Sequence, residues 1–120
     1  RLVPLDVTQQ AVLLRQEVRR LALERDSAAF QFLREFTVVY FDYHQHNDSL
    51  NGGYLHDPAA VAAVIDPTLF TWEAVRLEVR TDEAERGRTV ATPQAGSPVK
   101  VATALAVDRF LQLFLARVCR

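Results

Sequence analysis

The sequence contains little sulfur: it has one cysteine, Cys119, and no methionine. A single thiol excludes a disulfide within the chain, and such sparse cysteine is typical of proteins in a reducing compartment. The expected location is therefore the cytoplasm. Because not even an initiator methionine is present, we expect the chain to be a piece of a longer protein.

The sequence also lacks long hydrophobic runs and any surplus of charge. No apolar run approaches the ~20 residues that a membrane-spanning helix needs, and residues 1–4 do not resemble the start of a secretory signal. A net charge of −1 provides no excess of positive charge to attract phosphates, so nucleic acid is not the expected partner. With 49% hydrophobic residues, the 120-residue chain is typical of one globular domain or part of one.

Hydrophobic periodicity along the chain predicts a mixture of helices and short strands, and so an α/β fold. We expect the last three strands to form a small antiparallel sheet, because the segments between them are short. The predicted strands span residues 2–7, 74–80, 87–92 and 99–105, and the predicted helices span residues 8–24, 28–46, 58–65 and 108–119.

The stretch from Asn51 to Pro67 is the most distinctive part of the sequence. Pro58 suits the first position of a helix and Asp57 suits its cap, so both Asp57 and the preceding His56 are held in place. We interpret His56 as a candidate proton donor and Asp57 as a carboxylate that binds a metal or hydroxyl groups. In the alternative interpretation, Asp57 merely caps the helix and His56 is incidental.

Two glycines, Gly52 and Gly53, precede this pair in a polar segment, residues 47–53. Glycine permits backbone angles that other residues avoid, so the segment is predicted to be a mobile loop. Such a loop could close over a ligand and exclude water. It could equally be a plain connector between two helices.

Aromatic and histidine side chains gather at the end of the predicted helix 28–46. Tyr40 and His44 lie one turn apart and so share a face, from which they could stack on or hydrogen-bond a purine or pyrimidine. The alternative is an amphipathic helix end with exposed histidines. His46 lies off this turn and is a weaker candidate.

The end of the predicted first strand carries Asp6 and Thr8. Open α/β sheets gather ligands at strand ends, which would place these two side chains near a site. The alternative is that Asp6 or Thr8 caps the helix that follows.

Four ordered segments of this sequence resemble the C-terminal part of the inosine–uridine-preferring nucleoside hydrolases. The most specific is Leu55-His56-Asp57-Pro58, followed by Ala60-Val61-Ala62 and Ile65-Asp66-Pro67. The others are Val3–Thr8, Arg86–Val90 and Ala106–Phe110. The resemblance covers nearly the whole chain, so it implies that residues 1–120 are the C-terminal portion of an open mixed-sheet α/β domain.

The resemblance implies calcium-dependent cleavage of ribonucleosides to free base and ribose, as in purine and pyrimidine salvage. It implies that Asp57 is a calcium ligand that also contacts substrate, that His56 is the proton donor beside the leaving base, and that Tyr40 and His44 contact the base. The aspartate-rich calcium motif and the water-activating aspartate of the family would belong to an N-terminal part that this sequence lacks. The chain alone is therefore expected to be inactive, and the full-length protein is expected to form a homo-oligomer.

Two other functions are compatible with some of these residues. A metal-dependent phosphohydrolase of the His-Asp type could use His44 or His46 with His56 and Asp57, but such a site lies among helices and strands are predicted here. A degenerate relative of the hydrolases could instead bind a ligand or play a structural role. An intact upstream aspartate cluster in the parent gene would favour the enzyme.

Overall fold

The computed structural model describes residues 1–119 and contains both helices and strands. The helices are α1 (Leu5–Thr8), α2 (Arg15–Leu21), α3 (Ala28–Asp48), α4 (His56–Ile65) and α5 (Val107–Val118), with a 3₁₀ turn at Pro67–Leu69. The strands are β1 (Val12–Leu14), β2 (Gly52–Tyr54), β3 (Phe70–Val79), β4 (Thr89–Pro93) and β5 (Lys100–Leu105). This composition confirms the predicted α/β class. Within the described residues, no helix is both long and apolar enough to cross a bilayer.

Strands β3, β4 and β5 form an antiparallel sheet in the order β4-β3-β5. The central strand pairs Val75 with Pro93 on one side and Phe70 with Leu105 on the other. Phe70, Val75 and Val101 are buried, whereas polar side chains cover much of the rest of the sheet. The small antiparallel sheet predicted from the sequence is confirmed, although β3 begins four residues earlier than expected.

A second sheet, of two short strands, was not predicted. Strand β1 pairs with β2 in antiparallel register, so that Leu13 faces Gly53 and Leu14 faces Gly52. The predicted helix 8–24 is therefore wrong in its first half, and the predicted loop 47–53 is wrong at its end. A three-residue apolar run such as Val12–Leu14 does not distinguish a buried strand from a helix. Here the run is a strand because it pairs with β2, about 40 residues away in sequence.

The N-terminal segment also differs from its predicted form. Residues 2–7 were predicted to be a strand, but only Leu2 pairs, through single hydrogen bonds to Lys100 and Ala102 on β5. After Pro4 the chain turns into α1, because the Pro4 carbonyl accepts hydrogen bonds from Val7 and Thr8. Val7 and Thr8 are buried by this turn, which places the end of α1 in the interior.

The three long helices follow the sequence periodicity. Helix α3 begins after Ser27, whose hydroxyl caps it by accepting a hydrogen bond from the amide of Phe30. The largest core side chains, Phe30, Phe41 and Phe110, come from α3 and α5 and are almost fully buried. The predicted helices 28–46 and 108–119 are thus confirmed to within two residues.

Candidate functional site

A cleft of about 520 Å³ lies where α3, the start of α4 and the end of α5 meet. Its volume falls in the range of small-molecule sites, and most of its wall is apolar. Polar groups enter the cleft mainly from one side, where β2 leads into α4. The lining side chains that matter for chemistry are Tyr40 on α3, Tyr54 on β2, His56 and Asp57 on α4, and Phe114 on α5.

The start of α4 differs by two residues from its predicted position. Leu55, not Asp57, is the cap residue, so His56 and Asp57 are the first two residues of the helix. Leu55 is buried and its amide donates a hydrogen bond of 2.8 Å to the Ala11 carbonyl, which fixes the helix start against the residue that precedes β1. The Asp57 carboxylate still lies in the first turn, where the helix dipole favours negative charge.

The His56 ring is half-buried and held by one short hydrogen bond. Its Nδ1 lies 2.7 Å from Oγ1 of Thr8, a residue 48 positions away in sequence. Thr8 is only 3% exposed. The structure thus brings Thr8 to the site, whereas Asp6 is exposed and is not among the residues that line the cleft.

Tyr40 presents its ring to the cleft. Its hydroxyl donates a hydrogen bond of 2.9 Å to the Tyr54 carbonyl, so the phenol is fixed in place. Burial raises the pKa of Tyr40, and the negative charge of Asp57 adds to this effect. Tyr40 is therefore a neutral aromatic wall at ordinary pH.

His44 lies behind this wall and is not among the lining residues. It is 7% exposed, and its Nδ1 is 2.5 Å from Oδ2 of Asp48, while the buried Nε2 has no hydrogen-bond partner within residues 1–119. The edges of Tyr40 and Tyr54 pack on its ring, with centroids 4.6 and 5.0 Å away. Of the predicted site residues, Tyr40, His56 and Asp57 meet at the cleft, and His44 supports them from behind.

Sequence reasoning missed Tyr54, and it placed Thr8 near a site without its contact to His56. Tyr54 packs against His56 with ring centroids 5.4 Å apart, and only its proximity to His56 in sequence could have indicated this. The contact of Thr8 with His56 depends on how α1 packs against α4, for which no local sequence pattern exists.

The metal-binding capacity of the described residues is small. Within residues 1–119, no group of three or more histidine, cysteine or acidic side chains is arranged to hold a metal ion. Calcium takes about six to eight oxygen ligands, mostly from carboxylates and carbonyls. Asp57 could supply one of them.

Comparison with known proteins gives one consistent family. A family model described as inosine-uridine preferring nucleoside hydrolase matches residues 1–112. The inosine-uridine preferring nucleoside hydrolase of Crithidia fasciculata is 34% identical over 114 residues, which cover 94% of this chain and 36% of that protein. Probable uridine nucleosidase 2 of Arabidopsis thaliana is 35% identical over 88 residues, covering 73% of this chain and 27% of that protein.

Solved structures agree with the sequence comparisons. The purine-preferring ribonucleoside hydrolase from Gardnerella vaginalis superposes with a TM-score of 0.80 at 35% identity, over 98% of this chain and 38% of that chain. A plant nucleoside hydrolase superposes with a TM-score of 0.86 at 27% identity, over 96% of this chain and 39% of that chain. The chain thus spans about a third of the length of the curated relatives it matches.

Proposed function

Because this chain belongs to the inosine-uridine preferring nucleoside hydrolase family, we propose that it forms the C-terminal part of an enzyme that hydrolyses ribonucleosides to free base and ribose. The observation that carries this proposal is the convergence of an imidazole, a carboxylate and an aromatic wall on one cleft of nucleoside size. His56 and Asp57 enter it from the same helix turn, opposite apolar side chains of α3 and α5.

Cleavage of the N-glycosidic bond places three demands on the site. The bond breaks with its electrons leaving on the base, and the sugar passes through a state like an oxocarbenium ion. A water molecule must then add to the anomeric carbon, the ribose hydroxyls must be held, and the base must gain a proton. These demands can be compared with the side chains that line the cleft.

His56 suits the protonation of the leaving base. As an imidazolium it can give one ring proton to a nitrogen of the departing base and become neutral, so charge and protons balance. General acid catalysis of this kind is worth roughly 10²–10⁴ in rate. The Tyr54 ring beside His56 limits the orientations available to the imidazole.

The apolar side of the cleft suits the base itself. Tyr40 offers a ring face rather than a hydroxyl, since its hydroxyl is engaged with the Tyr54 carbonyl. Phe36 and Phe114 extend the same wall. Aromatic rings that stack on a nucleobase bind every base, so this wall supports nucleoside binding without selecting one base.

Asp57 suits a cation and the ribose hydroxyls. Its carboxylate is exposed at the cleft and has no ion-pair partner among residues 1–119. We propose that Asp57 supplies one carboxylate ligand to calcium, with the remaining ligands from residues outside this chain. Calcium, when bound, would orient both the attacking water and the ribose diol.

An apolar groove and the exposed Val64 beside it support a larger protein around this chain. A groove of about 390 Å³ between α4 and α5 is lined by Val61, Ile65 and Leu113 among others, and Val64 on α4 is 83% exposed. Soluble proteins rarely leave contiguous apolar surface of this kind uncovered. Since the relatives are about three times as long, we propose that the remainder of the hydrolase domain covers this groove.

The proposal is tested on the full-length protein by measuring release of base and ribose from inosine and uridine. We expect activity that is lost with a calcium chelator and restored by added calcium. His56→Ala should lower turnover of inosine by roughly 10²–10⁴-fold, because the base then leaves without a proton donor.

The matched control is His46→Ala. His46 is exposed on α3 and bonds only the Asp42 carbonyl, so this variant should keep wild-type turnover. A full-length protein that binds nucleosides but releases no base would instead support the non-catalytic relative.

A further inference from the structure

The contact between Thr8 and His56 joins helices α1 and α4. Thr8 ends α1, and its hydroxyl reaches two groups: the Leu5 carbonyl at 3.3 Å and Nδ1 of His56 at 2.7 Å. The Leu5 carbonyl also accepts a hydrogen bond from the Gln9 amide, and it has a second lone pair for the hydroxyl. Nothing else in the proposed reaction uses Thr8.

The hydrogen count of this contact allows two directions, because the hydroxyl can donate either to the Leu5 carbonyl at 3.3 Å or to Nδ1 of His56 at 2.7 Å. A threonine hydroxyl carries one hydrogen, and a carbonyl can only accept. When the hydroxyl donates to the Leu5 carbonyl, Nδ1 of His56 must be the donor toward Oγ1. The distance of 2.7 Å suits a charge-assisted bond from an imidazolium to a hydroxyl oxygen.

An imidazolium carries a proton on each ring nitrogen, and either can be lost. We propose that Thr8 is a positioning residue that retains the proton on Nδ1 of His56, so that Nε2 is the nitrogen that protonates the leaving base. After transfer the base holds the proton and the ring is neutral, with its remaining hydrogen on Nδ1 and donated to Thr8. This inference rests on the proposed function, since it requires His56 to act as the acid.

The surroundings of Thr8 favour a fixed role. The residue is buried, and the hydrogen bond from the Leu55 amide to the Ala11 carbonyl ties the start of α4 to the segment between α1 and β1. A ring held at Nδ1 cannot rotate without breaking a short hydrogen bond to a buried side chain. Partners that fix the tautomer of a functional histidine act in this way at many sites.

The test compares two substrates in the full-length enzyme. Inosine needs a proton on its departing base, whereas p-nitrophenyl riboside releases a stable phenolate that needs none. Thr8→Val has nearly the same volume but no hydroxyl, and Thr8→Ser restores the hydroxyl. We expect Thr8→Val to lower kcat for inosine by about 10- to 100-fold, with little change in KM and less than about threefold change on the phenyl riboside.

Thr8→Ser is the matched control and should stay within about threefold of wild type on both substrates. Equal losses of Thr8→Val on both substrates would show a merely structural role and overturn the proposal. Unchanged inosine turnover would overturn it as well.

A spectroscopic measurement on the wild-type protein covers the case in which Thr8→Val does not fold. With histidine labelled by ¹⁵N, and His56 assigned by its loss in His56→Ala, the neutral ring should carry its hydrogen on Nδ1. A hydrogen on Nε2 would contradict the proposal. His56→Ala separates the acid role of His56 from the positioning role of Thr8. If this variant loses no more turnover on inosine than on the phenyl riboside, the acid role itself fails, whatever Thr8 does.

Discussion

At the scale of single residues, the ionisation of Tyr40 in the wall of the cleft is linked to the stability of the fold. Its pKa is raised by burial, so the folded state binds the phenol proton more tightly than the unfolded state does. The corresponding stability is fully present below the ordinary tyrosine pKa of 10.0 and is lost as the pH rises through the folded value.

We therefore expect the tyrosinate absorbance that disappears in Tyr40→Phe to have a titration midpoint above 10. At neutral pH the same variant should lose about 1 kcal/mol of unfolding free energy, the typical contribution of a hydrogen bond like that to Tyr54. Tyr43→Phe, on an exposed position of the same helix, is the control and should keep the wild-type unfolding free energy at neutral pH. A Tyr40 midpoint at or below 10 would contradict the structure.

The residues of the candidate site were predictable only where local sequence defines them. His56 and Asp57 follow from a motif of adjacent residues, and Tyr40 from its place on a long helix. The contact of Thr8 spans 48 positions and depends on packing, so no periodicity reveals it. His44 lies one helical turn from Tyr40, as a cleft residue would. Its ring nevertheless bonds Asp48 and does not line the cleft.

At the scale of elements, the pairing of β1 with β2 supports the side of the cleft that Tyr54 lines. A methyl group added at Gly52 would lie 2.5 Å from the Leu13 carbonyl oxygen, and one added at Gly53 would lie 2.5 Å from Cε1 of Tyr40. These glycines are needed for close approach between neighbours. Neither has the positive φ that a flexible turn would require, since the positive angles of glycine belong to Gly87 and Gly96.

Gly52→Ala is expected to lower the unfolding free energy by about 3 kcal/mol, because backbone on both strands must separate. Gly96→Ala is the comparison: the added methyl meets nothing within 4 Å, and only the backbone strain at a φ of 78° remains, about 1 kcal/mol. Urea unfolding of both variants measures the difference. If Gly52→Ala proved as mild as Gly96→Ala, the strand pairing would be wrong.

The predictability of the elements follows their length. Local sequence patterns predict the elements that span several helical turns or strand alternations, which are α3, α5 and the sheet of β3, β4 and β5. Strands β1 and β2 have three residues each and are defined by one another. Gly52 and Gly53 predict a loop from local sequence alone, and only the facing strand β1 shows that they are paired.

At the scale of the whole molecule, the exposed apolar side chains of α4 belong to the surface on which we propose that the remainder of the hydrolase domain docks. Val64→Asp should destabilise the full-length protein by about 2–4 kcal/mol, because it places a charge in the proposed interface. In this chain alone the same change should stay within about 0.5 kcal/mol, since the side chain is exposed there.

Val79→Asp provides the matched control, because Val79 is also exposed but lies at the far end of β3. It should have little effect in either protein. Thermal unfolding of the four samples decides the matter, and equal effects of Val64→Asp and Val79→Asp in the full-length protein would remove α4 from the interface.

The pairing of β1 with β2 also limits how the cleft can open. A hinge at Gly52 and Gly53 would let α4 move, but the pairing of β2 with β1 and the contact of His56 with Thr8 hold the start of α4 beside α1. Opening of the cleft must then come from its aromatic side on α3. Amide hydrogen exchange should therefore be slow at the start of α4, near His56, and faster along α3.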